Sequence, residues 1–265
     1  MLVLSVSSLK GGVGKTSVTS GLASAAFARG IPTLVVDMDP QADATTGLDI
    51  EAGRDHDVSD VLASPRQKFL DAAIIPSGWS ADKPHALDVL PGSPRSAEFD
   101  RPTLSDRGLR RLDEALKKVE HLYQLVLIDC PPSLGGLTRT ALTASQRVAV
   151  VTEPGLFSVA ATDRALRAAD ELRQRVAPNL QPLGIVVNRV RPRSTEHQYR
   201  VKELKDMFGP LVLNPQVPER SVLQQAQGSG RPIHQWPGKT SADLSGIFDS
   251  MLDRALRTGR LRGRR

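Results

Sequence analysis

The chain has 265 residues, 40 % of them hydrophobic but only 4 % aromatic, and a formal net charge of +6. That length admits one large α/β domain or two small ones, with a core of Ala, Leu and Val rather than aromatic rings. A solitary cysteine (Cys130) excludes an internal disulfide or a thiolate-held cluster, and five scattered histidines lack ligand spacing; with no leader and no apolar run of about 18 residues, a cytoplasmic protein is expected.

Taken in chain order, Leu2–Ser7 reads as a short buried strand. It opens into Lys10-Gly11-Gly12-Val13-Gly14-Lys15-Thr16-Ser17 and a helix over Thr16–Arg29 with a face of Val18, Leu22, Ala25, Ala26 and Ala28. Gly30 sits where that helix should end and Pro32 follows, before a second strand at Thr33–Asp37. This is a βαβ unit, expected to cross over right-handed.

Gly14-Lys15-Thr16 fill the last three positions of the phosphate-loop pattern, although its first glycine would fall at Leu9. Glycines there let backbone N–H groups form a nest for a β-phosphate, and the helix N-terminus adds its dipole. In such a loop Lys15 reaches the β- and γ-phosphates and the Thr16 hydroxyl ligates Mg²⁺. Asp37-Met38-Asp39-Pro40-Gln41 follows the second strand, and Asp129-Cys130-Pro131-Pro132 ends a later one, so both acid clusters should face the loop at the carboxyl ends of parallel strands.

Between these clusters, Ser64–Arg101 is rich in Pro, Gly and Ser and reads as loops with short strands, among them Leu87–Leu90. Helix is expected over Leu104–Val119, strand over Leu122–Asp129, helix over Leu137–Ser145 and strand over Arg147–Thr152. A long helix at Val159–Val176, a strand at Leu183–Asn188 and helices at Glu196–Met207 and Thr240–Arg257 complete the pattern. The fold expected is a doubly wound, mostly parallel α/β sheet with helices on both faces, a single domain over residues 1–253. Residues 254–265 hold six Arg and no acid while the other 253 balance at 29 basic and 29 acidic, so a basic tail is expected, either facing an anionic partner or solvated.

The extra lysine, Lys10, makes the loop resemble the deviant Walker A signature of the ParA/MinD ATPases. Asp37–Gln41 and Asp129–Thr138 match the D-x-D-P-Q and D-C-P-P-S-L-G-x-L-T motifs of its ParA (Soj-like) branch. The resemblance implies a P-loop fold, ATP and Mg²⁺ as cofactors, and weak Mg-dependent ATP hydrolysis. It implies nucleotide contacts from Lys10, Gly11, Gly12, Val13, Gly14, Lys15, Thr16 and Ser17, with Lys10 reaching across an ATP-dependent homodimer; neutralising its own site is the other reading of Lys10. Asp39 would orient the attacking water with Asp37 in the same switch, and Thr16, Asp39 and Asp129 would hold the Mg²⁺ shell. Asn188 matches a base-contacting position, and Val217-Pro218-Glu219-Arg220 resembles the segment over the adenine, giving Pro218 and Glu219 as contacts.

Three readings of the function compete. A ParA-like partition or positioning ATPase would use non-specific DNA and a ParB-like or cargo-adaptor partner, and would be nucleoid-associated. Residues 189–205 carry six cations against two acids, and Arg189, Arg191, Arg193, Arg220, Arg254, Arg257 and Arg260 are the candidate phosphate-backbone contacts. A MinD-like membrane ATPase is the alternative, but the C-terminus offers only Leu256 and Leu261 among its arginines, so a membrane is not the expected partner. A cluster-holding reductase lacks the cysteine pair, and an amide-forming synthase is expected to carry more chain.

Overall fold

Strands buried on both faces need aliphatic side chains at every position, and the runs Leu2–Ser7, Thr33–Asp37, Leu125–Asp129 and Arg147–Thr152 are buried throughout. The computed structural model describes residues 1–51, 53–80 and 85–260. Its strands are β1 (Leu2–Ser7), β2 (Thr33–Asp37), β3 (Ile75–Pro76), β4 (Leu87–Leu90), β5 (Leu125–Asp129), β6 (Arg147–Thr152) and β7 (Gln181–Val187). They form a seven-stranded sheet in the order β3-β4-β2-β5-β1-β6-β7. Every pairing is parallel except β3 with β4, where Pro76 lies on an edge that needs no ladder donor. The chain reverses direction across the sheet at β1, flanked by β5 and β6, which is where open α/β sheets hold ligands.

The helices are α1 (Lys15–Ala28), α2 (Asp43–Gly47), α3 (Val58–Ala63), α4 (Gln67–Ala73), α5 (Asp106–Leu109), α6 (Arg111–Leu116), α7 (Gly136–Ala144), α8 (Ser158–Arg175), α9 (Thr195–Phe208), α10 (Ser221–Gly228) and α11 (Lys239–Arg260). On one face α1, α10 and α11 pack Leu22, Leu223 and Phe248 against Leu4, Val35, Leu127 and Val151. On the other, α3, α4, α6 and α7 cover Val36 and Ile128, α5 and α8 cover Val148 and Val150, and α9 covers Ile185 and Val187. Helices on both faces make this the doubly wound arrangement expected.

Three differences from the expected elements have local causes. The helix expected over Leu104–Val119 is split into α5 and α6: Ser105 caps α5 by accepting from Gly108 N, and the break falls at Arg110 just beyond that glycine. Residues 58–73 hold α3 and α4, the first fixed by a capping box in which Asp57 accepts from Ser59 N and Asp60 from Asp57 N. The basic tail expected from 254 is helical through Arg260: Ala255 is fully buried, and the Thr258 carbonyl accepts from Arg147 Nη2 at 2.6 Å. Residues 254–260 therefore continue the last helix, and Arg262, Arg264 and Arg265 lie outside the described residues.

Candidate functional site

The site grows from the carboxyl end of β1. Gly12 and Gly14 take φ of +78° and +87°, the left-handed region that L side chains resist, and Gly14 is the N-cap of α1. A Cβ on Gly14 would also stand 2.3 Å from Asn188 Nδ2, so glycine is required there on two counts. Lys15 and Val13 are buried while Lys10, Gly11 and Gly12 are exposed, which leaves the loop open on its outer side. The N–H groups of the first turn of α1 have no intrahelical partners, and no acidic residue occupies that turn.

The parallel register carries the acids to this loop. Val6 pairs with Asp129, and Asp37 pairs with Asp129 from the other side, so both carboxylates end their strands beside the phosphate loop. Thr16 Oγ1 donates to Asp129 Oδ2 at 2.7 Å and Thr19 Oγ1 donates to Oδ1 at 2.8 Å. Asp37 Oδ2 accepts from Thr45 N at 2.8 Å and Thr45 Oγ1 at 2.7 Å, and its Oδ1 accepts from Asp39 N at 3.1 Å. Asp39 is half-buried and its Oδ1 accepts from Gln41 N at 3.1 Å, closing a local turn just beyond β2.

Burial pushes Asp37 well above the usual carboxylate range, and the neighbouring Asp129 charge pushes it further. Burial likewise raises Asp129, against the Thr16 and Thr19 hydroxyls and Lys15, with Asp39 adding to the rise. Two buried acids held uncomfortably close are what a divalent cation would relieve. Among the described residues no three His, Cys, Asp or Glu side chains cage a metal by themselves. This donor set fits Mg²⁺, which takes one or two carboxylates or hydroxyls and completes its shell from phosphates and water.

Some of these contacts had no counterpart in the sequence reading. Thr19 lies one turn beyond Thr16 on the same face of α1, a spacing that would have pointed to it. Thr45 and Gly92 carry no motif: Gly92 N donates to Thr45 Oγ1 at 2.9 Å, and a Cβ on Gly92 would lie 2.9 Å from Asp37 Cγ. Cys130 is fully buried, and burial pushes its thiol up, so it packs rather than reacts.

The remaining candidates fall in two places. Asn188 is buried and its Nδ2 donates to Val13 O at 2.8 Å, while Arg189, with φ of +55°, donates to Gly12 O; both therefore rest on the phosphate loop. Ser17 Oγ donates to Gln227 Oε1 at 3.1 Å, tying α1 to α10. Pro218 and Glu219 border Val190, and Glu219 pairs with Arg191. Arg220 donates to the Glu219 carbonyl at 2.9 Å and Arg254 to the Pro210 carbonyl at 3.3 Å, while Arg193 and Arg257 are exposed. The side chain of Arg260 lies outside the described residues. The basic stretch is also less basic in space than in sequence: Arg200 pairs with Glu196 and Glu203, and Lys202 with Asp206.

A family model described as an AAA domain matches residues 1–182, the part that carries the loop and both acid clusters. The sporulation initiation inhibitor protein Soj of Bacillus subtilis is 31 % identical over 235 residues, spanning 87 % of this chain and 89 % of that protein. The chromosome partitioning protein ParA of Caulobacter vibrioides is 30 % identical over 236 residues, covering 87 % and 85 %. The chain belongs to the ParA/Soj family of P-loop ATPases. Among solved structures, cobyrinic acid a,c-diamide synthase from Mycobacterium smegmatis with bound ADP and magnesium superposes with a TM-score of 0.80 at 25 % identity, covering 100 % of this ParA-family chain and 97 % of that one. That match corrects one expectation, since a synthase of this fold need carry no more chain than is present here.

Proposed function

We propose that this ParA-family chain is a weak Mg²⁺-dependent ATPase that dimerises on ATP, binds DNA without sequence preference and positions DNA or another cargo. A ParB-like or adaptor partner stimulates its hydrolysis. The observation that carries the reading is the meeting of Lys15, Thr16, Asp37, Asp39 and Asp129 at the carboxyl ends of β1, β2 and β5, with Thr16 already bonded to Asp129. Gly12 and Gly14 let the loop wrap the phosphates, and Lys15 neutralises their charge from a buried position. Mg²⁺, when bound, would supply further neutralisation of the triphosphate charge. Asp129 and Thr16 would hold that ion's shell, and Asp39, half-buried beyond the buried Asp37, orients the attacking water. Slow turnover suits a switch whose ATP state must persist. The relative named chromosome partitioning protein ParA, matched over more than four-fifths of both chains, supports partition as the task.

Two substitutions separate binding from hydrolysis. Lys15→Ala abolishes ATP binding, whereas Asp39→Ala retains ATP and accumulates dimer on size-exclusion chromatography. An Asp39→Ala protein that elutes as a monomer with ATP would contradict the switch. Co-sedimentation with plasmid DNA and with anionic liposomes separates the two matrices: DNA binding that weakens steeply with salt is expected, and liposome binding alone would favour the MinD-like alternative.

A further inference from the structure

We infer that Glu153 is a positioning residue for Lys10, holding that lysine on its own protomer until a second copy docks; the inference rests on the ATP-dependent dimer proposed above. Strands β1 and β6 are parallel neighbours with Ser7 opposite Val150, and Lys10 and Glu153 follow three residues later on the connections that leave them. There Lys10 Nζ pairs with Glu153 Oε1. The contact joins the two connections that leave the carboxyl ends of neighbouring parallel strands.

The two backbones are anchored, so the side chains alone are free to part. Lys10 N donates to Ser8 Oγ at 3.1 Å, and that hydroxyl donates back to the Lys10 carbonyl at 3.2 Å. Ser158 Oγ donates to the Glu153 carbonyl and accepts from Gly155 N at 2.9 Å, fixing the turn into α8. The side chains of Lys10 and Glu153 are 58 % and 28 % exposed, open enough for the pair to exchange partners. The same turn raises Leu156 and Phe157, 63 % and 72 % exposed, which line one cleft with Ser8, Leu9 and Lys10. Two large apolar side chains beside the lysine mark the face that a second copy covers, because the proposed destination of Lys10 is the nucleotide of that copy.

An ATP triphosphate carries more negative charge than one carboxylate, so Lys10 transfers from Glu153 to the phosphates once the copies meet. An exposed ion pair shifts an equilibrium by about twofold to fivefold at most, and a symmetric dimer breaks two of them, so together they weaken dimerisation by about fourfold to 25-fold. Salt screens such a pair and shrinks the effect.

Sedimentation velocity of the full chain with ATPγS and Mg²⁺, over a series of protein concentrations at low and high salt, tests this. Glu153→Gln is expected to dimerise about fourfold to 25-fold more tightly than the parent chain at low salt. The gap closes at high salt, and Glu153→Asp, which keeps the charge, stays with the parent. Equal dissociation constants for the parent and Glu153→Gln would overturn the role of Glu153 and leave the dimer standing. So would a gain that persists at high salt, or a Glu153→Asp protein that behaves like Glu153→Gln, since either marks a merely structural effect. Absence of any nucleotide-dependent dimer in the parent and variant alike would overturn the dimer reading, and the role of Glu153 with it.

Discussion

Asp129 sits fully buried between two threonine hydroxyls, with Asp37 across the strand pair and Asp39 just beyond. Three acids at the carboxyl ends of neighbouring strands are a poor arrangement for stability alone, since burial disfavours the Asp37 and Asp129 charges and the neighbours add repulsion. They make sense as a site that is relieved when magnesium and phosphates arrive. Replacing Asp129 by Asn keeps the shape while removing the charge; the amide oxygen accepts from one threonine hydroxyl and the amide nitrogen donates to the other. The nucleotide-free protein is then expected to gain on the order of 1 kcal/mol, or about 2–4 °C in melting temperature at this chain length. ATP hydrolysis should slow by about two orders of magnitude. Thermal melts paired with a phosphate-release assay check both halves; a less stable apo variant would mean that the acids are held by contacts that outweigh their mutual repulsion.

At the scale of elements, α1 carries the phosphate loop and is wedged against α11, so the site depends on that packing. Gly21 lies in the interior of α1, where alanine ordinarily gains about 1 kcal/mol of helix propensity. Here a Cβ would stand 2.4 Å from the ring of the fully buried Phe248, and overpacking costs about 1–3 kcal/mol. Gly21→Ala is therefore expected to lower the melting temperature despite its better propensity, and Phe248→Leu in the same chain to recover part of the loss in a double-mutant cycle. This dependence also explains which elements were readable. Strands β1, β2, β4 and β6 coincide with the aliphatic runs that parallel burial demands. By contrast, α10 is built from Ser, Gln and Gly with only Val222, Leu223 and Ala226 to mark a face, and β7 begins two residues before its aliphatic run, at Gln181 and Pro182. Within the site, the glycines and acids of the loop were legible because phosphate chemistry restricts the residue types. Thr45, Gly92 and Glu153 were not, because they lie on α2 and on loops that only the tertiary fold brings to their partners.

Across the whole molecule, charge and shape divide the surface differently from the sequence count. Glu219, Glu196, Glu203 and Asp206 neutralise much of the basic stretch, and Arg189 bonds to the loop, so Arg193, Arg220 and Arg257 are the exposed candidates left for the proposed DNA contact. Because α11 runs to Arg260 and buries Ala255, cutting the chain after Asp253 would remove packed helix and confound any loss of DNA affinity with unfolding. Among the described residues no helix is long and apolar enough to cross a membrane. All of these proposals depend on the loop between β1 and α1 accepting a triphosphate. The most direct measurement is isothermal titration calorimetry of the folded chain with ATP and Mg²⁺, beside Lys15→Ala. Saturable binding of one ATP per chain, lost in the variant, is the expected result; a parent chain that is folded by circular dichroism yet takes up no ATP would contradict the account.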